Sequence, residues 1–260
     1  MGIESYPSDA KSSVYEGLST IEIVTNMHPQ NNLSCYRKID KNSFVDTSTG
    51  ELREYSIKSE SMDKTAWLRK SMTKLRRLID CNFVCDDSEL FLTLTFCTTV
   101  TYQKARKSFI RFWERFHYHH EDCGYIMIVE PHENGSWHLH VLVKCYSGVI
   151  HVHRSELSDL WGHGNVHVER IPFRDFGMYF SKRDKLMRAD FYPPNVKLFT
   201  ASRRMVRPAV VTMSHNEAME YVQGSQMVTS VKKPIYVGDS QVNTIIYEKY
   251  KKEKNNNVQL

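Results

Sequence analysis

Glu130, His138 and His140 lie in the segment VEPHENGSWHLHVLVK, residues 129–144, at a spacing that lets an extended chain turn all three toward one metal ion. Side chains alternate faces along a strand, so His138 and His140 share one face, while Leu139, Val141 and Val143 take the other and can be buried. Upstream, residues 125–129 (YIMIV) read as a second strand, and Asn134-Gly135 between the two runs is a strong hairpin signal. The turn places Glu130 on a strand beside the histidines. Two imidazoles and one carboxylate, with room left for water and substrate oxygens, suit a divalent ion acting as a Lewis acid. A histidine pair two apart carries little weight alone, because histidine is commonly partly buried. The carboxylate and the hairpin add the weight, although His132 and Glu133 are near enough to compete with Glu130 as third ligand.

The elements that must hold this hairpin are legible on both sides of it. Residues 90–96 (LFLTLTF) set bulky apolar residues around Thr93 and Thr95, and the near-continuous apolarity predicts a strand inside a sheet. Tyr102, Ala105, Phe109, Phe112, Trp113 and Phe116 then recur at helical spacing, with Lys104, Arg106, Lys107, Arg111 and Arg115 opposite. That aromatic stripe has the width of a buried face, which makes this a packing helix. From Met62 onward, Leu68, Met72, Leu75 and Ile79 form another helical stripe, ringed by Lys64, Arg69, Lys70, Lys74, Arg76 and Arg77, a charge set that is either a solvated helix face or a phosphate contact.

After the hairpin, His153 to Trp161 reads as a short helix and residues 165–169 (NVHVE) as a strand. His151 and His153 repeat the two-apart spacing without the apolar strand pattern. His117, His119 and His120 end a helix, where the dipole favours cationic side chains. Neither group is expected to act directly. Ile171-Pro172 opens a further helix, from Phe173 to about Leu186, with Phe173, Phe176 and Phe180 as its buried side. Tyr179 falls at the border of core and solvent, with Lys182 three residues on as its surface neighbour.

Composition bounds the class. At 260 residues and 41% hydrophobic content the chain can bury one substantial core, so one main domain is expected. No apolar run approaches the roughly 20 residues of a membrane span. The first residues carry neither a secretory signal nor a myristoylation pattern, so a soluble, cytoplasmic protein is expected. The six cysteines lack CxxC spacing, which argues against a zinc ribbon or a disulfide framework and for reduced thiols. A net charge of +5 and a pI near 8.8 permit nucleic-acid binding without requiring it. Residues 1–60 are polar, with weak strand signals at 20–25 and 50–57, and the C-terminus is a Lys- and Asn-rich tail expected to be disordered. The chain has no GxxxxGK[ST] loop, so any unwinding of DNA would come from a partner.

Taken in order, LFLTLTF, then Glu130 with the HLH of EPHENGSWHLHVLV, then MYFSK resemble the three motifs of the HUH rolling-circle replication initiators and related nickases. The resemblance is closest to the single-tyrosine Rep proteins of bacterial plasmids and filamentous-type phages, whose third motif has tyrosine and lysine three apart, as Tyr179 and Lys182 are. The eight-residue step from Glu130 to His138 agrees with the acid-to-histidine step of several Rep families and favours Glu130 over His132 and Glu133. Leu160-Trp161, Gly164 and Ser202-Arg203 also agree, and the resemblance covers roughly Met62 to Val211.

The resemblance implies an α+β fold of HUH type. An antiparallel sheet, a ferredoxin- or RRM-like palm, carries the histidines on a central strand pair, with helices packed on it. It implies an endonuclease domain over residues 61–212, an accessory or partly disordered region over 1–60 and a C-terminal extension over 213–260. The implied activity is initiation of rolling-circle replication. Tyr179 attacks single-stranded or hairpin origin DNA, leaving a 5′-phosphotyrosine and a free 3′-hydroxyl, and the reverse reaction rejoins strands. Lys182 would favour the phenolate or neutralise phosphate charge. Glu130, His138 and His140 would hold Mg2+ or Mn2+, an open mixed set unlike the four closed ligands of a structural zinc. Arg174, Arg183, Lys185, Arg203, Arg204 and Arg207, nearest the tyrosine helix in sequence, are the candidate DNA contacts. The partners implied are a host helicase, a DNA polymerase and a second copy of the chain on the DNA. A single-tyrosine transposase or a relaxase shares this chemistry, and a non-catalytic DNA-binding protein is the reading from another class.

Overall fold

The structure, a computed structural model, describes residues 6–29, 36–39, 43–46, 51–54, 64–132, 135–171, 177, 180, 188–237 and 240–252. The chain forms two compact units, one of Met62–Arg207 and one of Met1–Ser61 together with Pro208–Leu260.

In chain order the first elements are β1 (Lys11–Glu16), β2 (Thr20–Asn26), β3 (Tyr36–Lys38), β4 (Ser43–Asp46) and β5 (Leu52–Glu54). Helix α1 (Lys64–Asp80) buries the expected stripe of Leu68, Met72, Leu75 and Ile79, with Leu78 added. Strand β6 (Glu89–Thr95) leads to α2 (Tyr102–His119), whose first turn is capped by Thr101 accepting from the Lys104 backbone N–H at 3.2 Å. Strands β7 (Cys123–Pro131) and β8 (Trp137–Cys145) form the hairpin. Its turn closes through Gly135, whose φ of +79° suits glycine and whose N–H donates to His132 O at 3.0 Å. Then come α3 (Arg154–Trp161), β9 (Val166–Glu169), β10 (Phe199–Ala201), β11 (Val211–Ser214), α4 (His215–Tyr221), β12 (Gln226–Val237) and β13 (Ser240–Lys251).

In the central unit a five-stranded antiparallel sheet runs β10-β7-β8-β6-β9. This is the expected α+β arrangement, with β8 in the middle and β6 flanked on both sides. Register assigns the faces: Tyr125, Met127 and Val129 lie opposite Val143, Val141 and Leu139. Helix α2 packs on that face, with the rings of Phe109 and Trp113 4.9 and 4.5 Å from that of Tyr125. Phe109, Phe112 and Phe116 are essentially inaccessible. The opposite face is partly covered as well, because Phe91 and His140 both meet the buried ring of Phe180. Apolar contact on both faces explains why residues 90–96 do not alternate cleanly.

The other unit holds a sheet in the order β11-β1-β2-β13-β12, and β3-β4-β5 form a small three-stranded sheet. The two flanks, 1–60 and 213–260 in the sequence, thus meet as neighbouring strands. β1 pairs with β11, β2 pairs with β13, and the units divide between Arg207 and Pro208. Only strand register could join segments some 200 residues apart, since neither carries a pattern of its own that names a partner. Residues 253–260 of the tail lie outside the described residues.

One expectation is corrected. Cys123 and Cys145 form a disulfide, so the cysteines are not all reduced thiols. The β7–β8 register sets them directly opposite, with Cα atoms 4.1 Å apart, a pairing that no CxxC spacing announces. Cys81, Cys85 and Cys97 form no disulfide.

Candidate active site

The hairpin brings Glu130, His138 and His140 together on one face of the sheet. Glu130 lies directly opposite His138, and Ile128 opposite His140. On the other side of β8, Thr95 faces His138 and Thr93 faces His140, so the threonines of LFLTLTF line the same face. The carboxylate closes on the farther histidine, with Glu130 Oε2 3.1 Å from His140 Nε2 and both side chains 13% exposed. The other ring nitrogen of His140, Nδ1, lies 3.2 Å from Thr93 Oγ1. Phe91 stacks on the same imidazole at 5.5 Å between centroids. The orientation of His140 is therefore set from three sides.

His138 is held differently. Its ring stands 4.8 Å from that of His132 and 6.2 Å from that of His140, and its buried Nδ1 has no hydrogen-bond partner among the described residues. Burial, followed by the proximity of His140 and His132, pushes its pKa below the ordinary imidazole value. Near pH 7 it is a neutral imidazole, the form that ligates metals. A buried polar atom left without a partner is unusual enough to need a cause.

No group of three His, Cys, Asp or Glu side chains among the described residues is already arranged around an ion position. The donors nevertheless fit a hard or borderline divalent cation: a carboxylate, an imidazole with an unused nitrogen, and a second imidazole braced by Thr93. The contact between Glu130 and His140 joins two of these donors directly. His132 is exposed beside His138, and Glu133 lies outside the described residues.

Two neighbours of the site had no signal in the sequence. Arg188 places Nη1 3.7 Å from Glu130 Oε1 and donates to Pro131 O at 3.2 Å. Tyr192 is buried and donates its hydroxyl to Val129 O at 2.9 Å. Burial first, then the Glu130 charge, raises its pKa well above the ordinary phenol value, and its hydroxyl is already committed to a backbone carbonyl. Thr93 was visible as part of the strand, but its pairing with His140 needed the β6–β8 register.

Tyr179 and Lys182, with Arg174, Arg183 and Lys185, lie outside the described residues, although the flanking Gly177 and Phe180 are buried in the central unit. Arg203 is exposed. Arg207 donates weakly to Ala201 O and Ser202 O at 3.4 Å. Arg204 is committed elsewhere: it bonds Asp122 Oδ1 at 3.1 Å and Glu121 O at 3.0 Å, and lies over the Tyr146 ring. That is the opposite end of the hairpin from His138, roughly 25 Å away along β7.

Fold and site together define an α+β protein whose antiparallel sheet presents a carboxylate and two imidazoles on one face. Residues 89–185, from the first residue of β6 through the segment containing Tyr179 and Lys182, match the family model described as Replication-associated protein ORF2/G2P. Over this span the chain is similar to replication-associated proteins, the family level at which the motif resemblance is supported. No curated protein and no solved structure matches the chain. No helix among the described residues is long and apolar enough to cross a membrane.

Proposed function

We propose that this chain initiates rolling-circle replication by nicking single-stranded origin DNA with Tyr179. The observation that carries the reading is the convergence of Glu130, His138 and His140 on one sheet face, with His138 Nδ1 buried and unpartnered. The family match over 89–185 supports it, because that span contains all three residues together with Tyr179 and Lys182.

A phenol with a pKa of about 10 is a weak nucleophile at neutral pH, and a phosphodiester resists attack because it is anionic. A bound Mg2+ or Mn2+, held by Glu130, His138 and His140, would polarise the scissile phosphate and offset charge on its oxygens. The protein supplies the rest. Thr93 and Phe91 fix the plane of His140, and burial keeps His138 neutral with a nitrogen lone pair to give. Lys182 lowers the cost of forming the Tyr179 phenolate. The Tyr179 oxygen bonds to phosphorus, the bond from phosphorus to the 3′ oxygen breaks, and that oxygen takes a proton to become the 3′-hydroxyl. The 5′-phosphotyrosine conserves the bond, so the reverse attack rejoins strands. A host helicase opens the duplex and a polymerase extends the 3′ end. With one such tyrosine per chain, Tyr179 of a second copy or an activated water would supply the nucleophile that ends a round.

The test is incubation with Mn2+ and labelled single-stranded candidate origin DNA, followed by a denaturing gel and mass mapping. Wild type gives a protein-linked band at Tyr179. Tyr179→Phe and the double variant His138→Ala/His140→Ala give none. If DNA binding persists in wild type without any adduct, the chain is a DNA-binding module and the proposal fails.

A further inference from the structure

Outside the site, α2 carries a row of exposed cations. At ~100° per residue, Lys104, Lys107, Arg111 and Arg115 fall within an arc of about 80°. All four are exposed. None has a carboxylate partner among the described residues, and the Arg115 guanidinium donates only to Arg111 O. Tyr118, 79% exposed, projects from the same arc, and Glu114 is the acid at its margin. A solvated helix usually mixes both signs along such a stripe. Cations for the phosphates, with an exposed ring at the end of the row, are a combination that binds single-stranded nucleic acid.

The stripe is connected to the site by the end of β6. Thr95 faces His138 on the metal-ligand face, while its carbonyl accepts from Trp161 Nε1 at 2.7 Å. The next residues turn over the sheet's rim, where Cys97 N donates to His163 O at 2.9 Å and the Phe96 ring stands 5.9 Å from that of His163. Burial, then the charges of Arg115, Lys104 and Arg111, lower the pKa of His163, so the three cations act on this ring.

We propose that single-stranded DNA extending from the Glu130–His138–His140 face turns over the Phe96–His163 rim and continues along α2, its phosphates on Lys104, Arg111 and Arg115. This rests on the reading of the chain as a nickase of single-stranded DNA. It assigns α2, whose inner face is packing, an outer face that tracks the strand and sets how long a substrate the protein holds.

The experiment compares two triple variants of the full chain, each also carrying Tyr179→Phe so that no covalent capture occurs. Lys104→Gln/Arg111→Gln/Arg115→Gln removes the stripe. Arg69→Gln/Lys70→Gln/Lys74→Gln removes the same charge from the exposed side of α1. Binding of a labelled oligo(dT) of about 30 nucleotides is followed by anisotropy across a salt series with chelator present. The stripe variant should lose about tenfold in affinity at low salt, and its salt slope should fall by about 2, at ~0.7 per lost phosphate contact. The α1 variant should keep the slope of the parent. Equal losses in both variants, or none in the stripe variant, overturn the proposal. Adduct formation is read separately in chains that retain Tyr179. There the stripe substitutions should raise the DNA concentration needed for half-maximal rate and leave the saturated rate unchanged. If no chain forms an adduct, the nickase reading falls while the binding slopes still decide the stripe.

Discussion

Glu130 stands opposite His138 in the β7–β8 ladder, yet its carboxylate closes on His140, with Oε2 3.1 Å from Nε2. His138 Nδ1 is buried without a hydrogen-bond partner among the described residues. The same carboxylate faces Arg188 through Oε1 at 3.7 Å, so one acid balances groups on both sides.

Glu130→Gln keeps the shape and a hydrogen bond to His140 but removes the charge a cation would meet. Mn2+ affinity, read by the free-ion signal in electron paramagnetic resonance, should fall at least about tenfold, and adduct yield should fall with it. Wild-type affinity in this variant would move the third ligand to His132 or Glu133.

Glu89 is fully buried and accepts from the backbone N–H groups of Val84 and Cys85 at 2.9 and 2.8 Å. It also meets Lys144 Nζ at 2.7 Å, and Asp86 stands on the other side of that ammonium at 3.2 Å. Burial opposes the Lys144 charge, but the bonds to Glu89 and Asp86 outweigh it and raise the pKa above 10.5. Glu89→Ala should therefore cost about 1–3 kcal/mol by urea unfolding, since it leaves the two amides without their acceptor and Lys144 with Asp86 alone. The lysine's contribution is fully present below pH 10.5 and is lost as pH rises through its raised value, so the deficit should shrink in strong alkali.

Gly164 lies against the end of β6, where an added Cβ would collide with Thr95 O and come within 2.8 Å of Cys97 N. Both obstacles are backbone and cannot rotate away. Gly164→Ala should destabilise the central unit by about 1–3 kcal/mol. It should also shift Thr95, the cross-strand neighbour of His138, which a change in the His138 ring resonances would report.

His215 is 4% exposed at the start of α4, stacked on Tyr6 with centroids 3.6 Å apart. Ser12 Oγ and Thr25 Oγ1 lie 3.5 and 3.4 Å from its Nδ1. Burial lowers its pKa below 6.5, so the unfolded chain takes up the proton first. The contribution of the neutral ring is present above pH 6.5 and is lost as pH falls from there through the folded value, by at most about 1.4 kcal/mol per pH unit. Thermal unfolding between about pH 7.5 and 5 should show this loss for wild type and a flatter profile for His215→Gln. Equal profiles would assign the acid sensitivity to other groups.

What the sequence determined by itself was local. The two-residue period of a strand set which side chains of HLHVLV and LFLTLTF share a face, Asn134-Gly135 signalled the turn, and helical spacing set α1 and α2, because each signal is written within one element. The hairpin signal also put Glu130 on the strand beside the histidines. Tertiary structure decided everything that depends on a distant partner. Thr93 reaches His140 only through the β6–β8 register, and Arg188 reaches Glu130 only because the chain returns past β7. Arg204, near the tyrosine in sequence, is drawn to the far end of the hairpin by Asp122 and Tyr146. The joining of β1 with β11 and of β2 with β13 is of the same kind. Strand pairing depends on backbone groups that every residue carries, so the choice of partner is made by the packing of the whole sheet and leaves no mark in either segment alone.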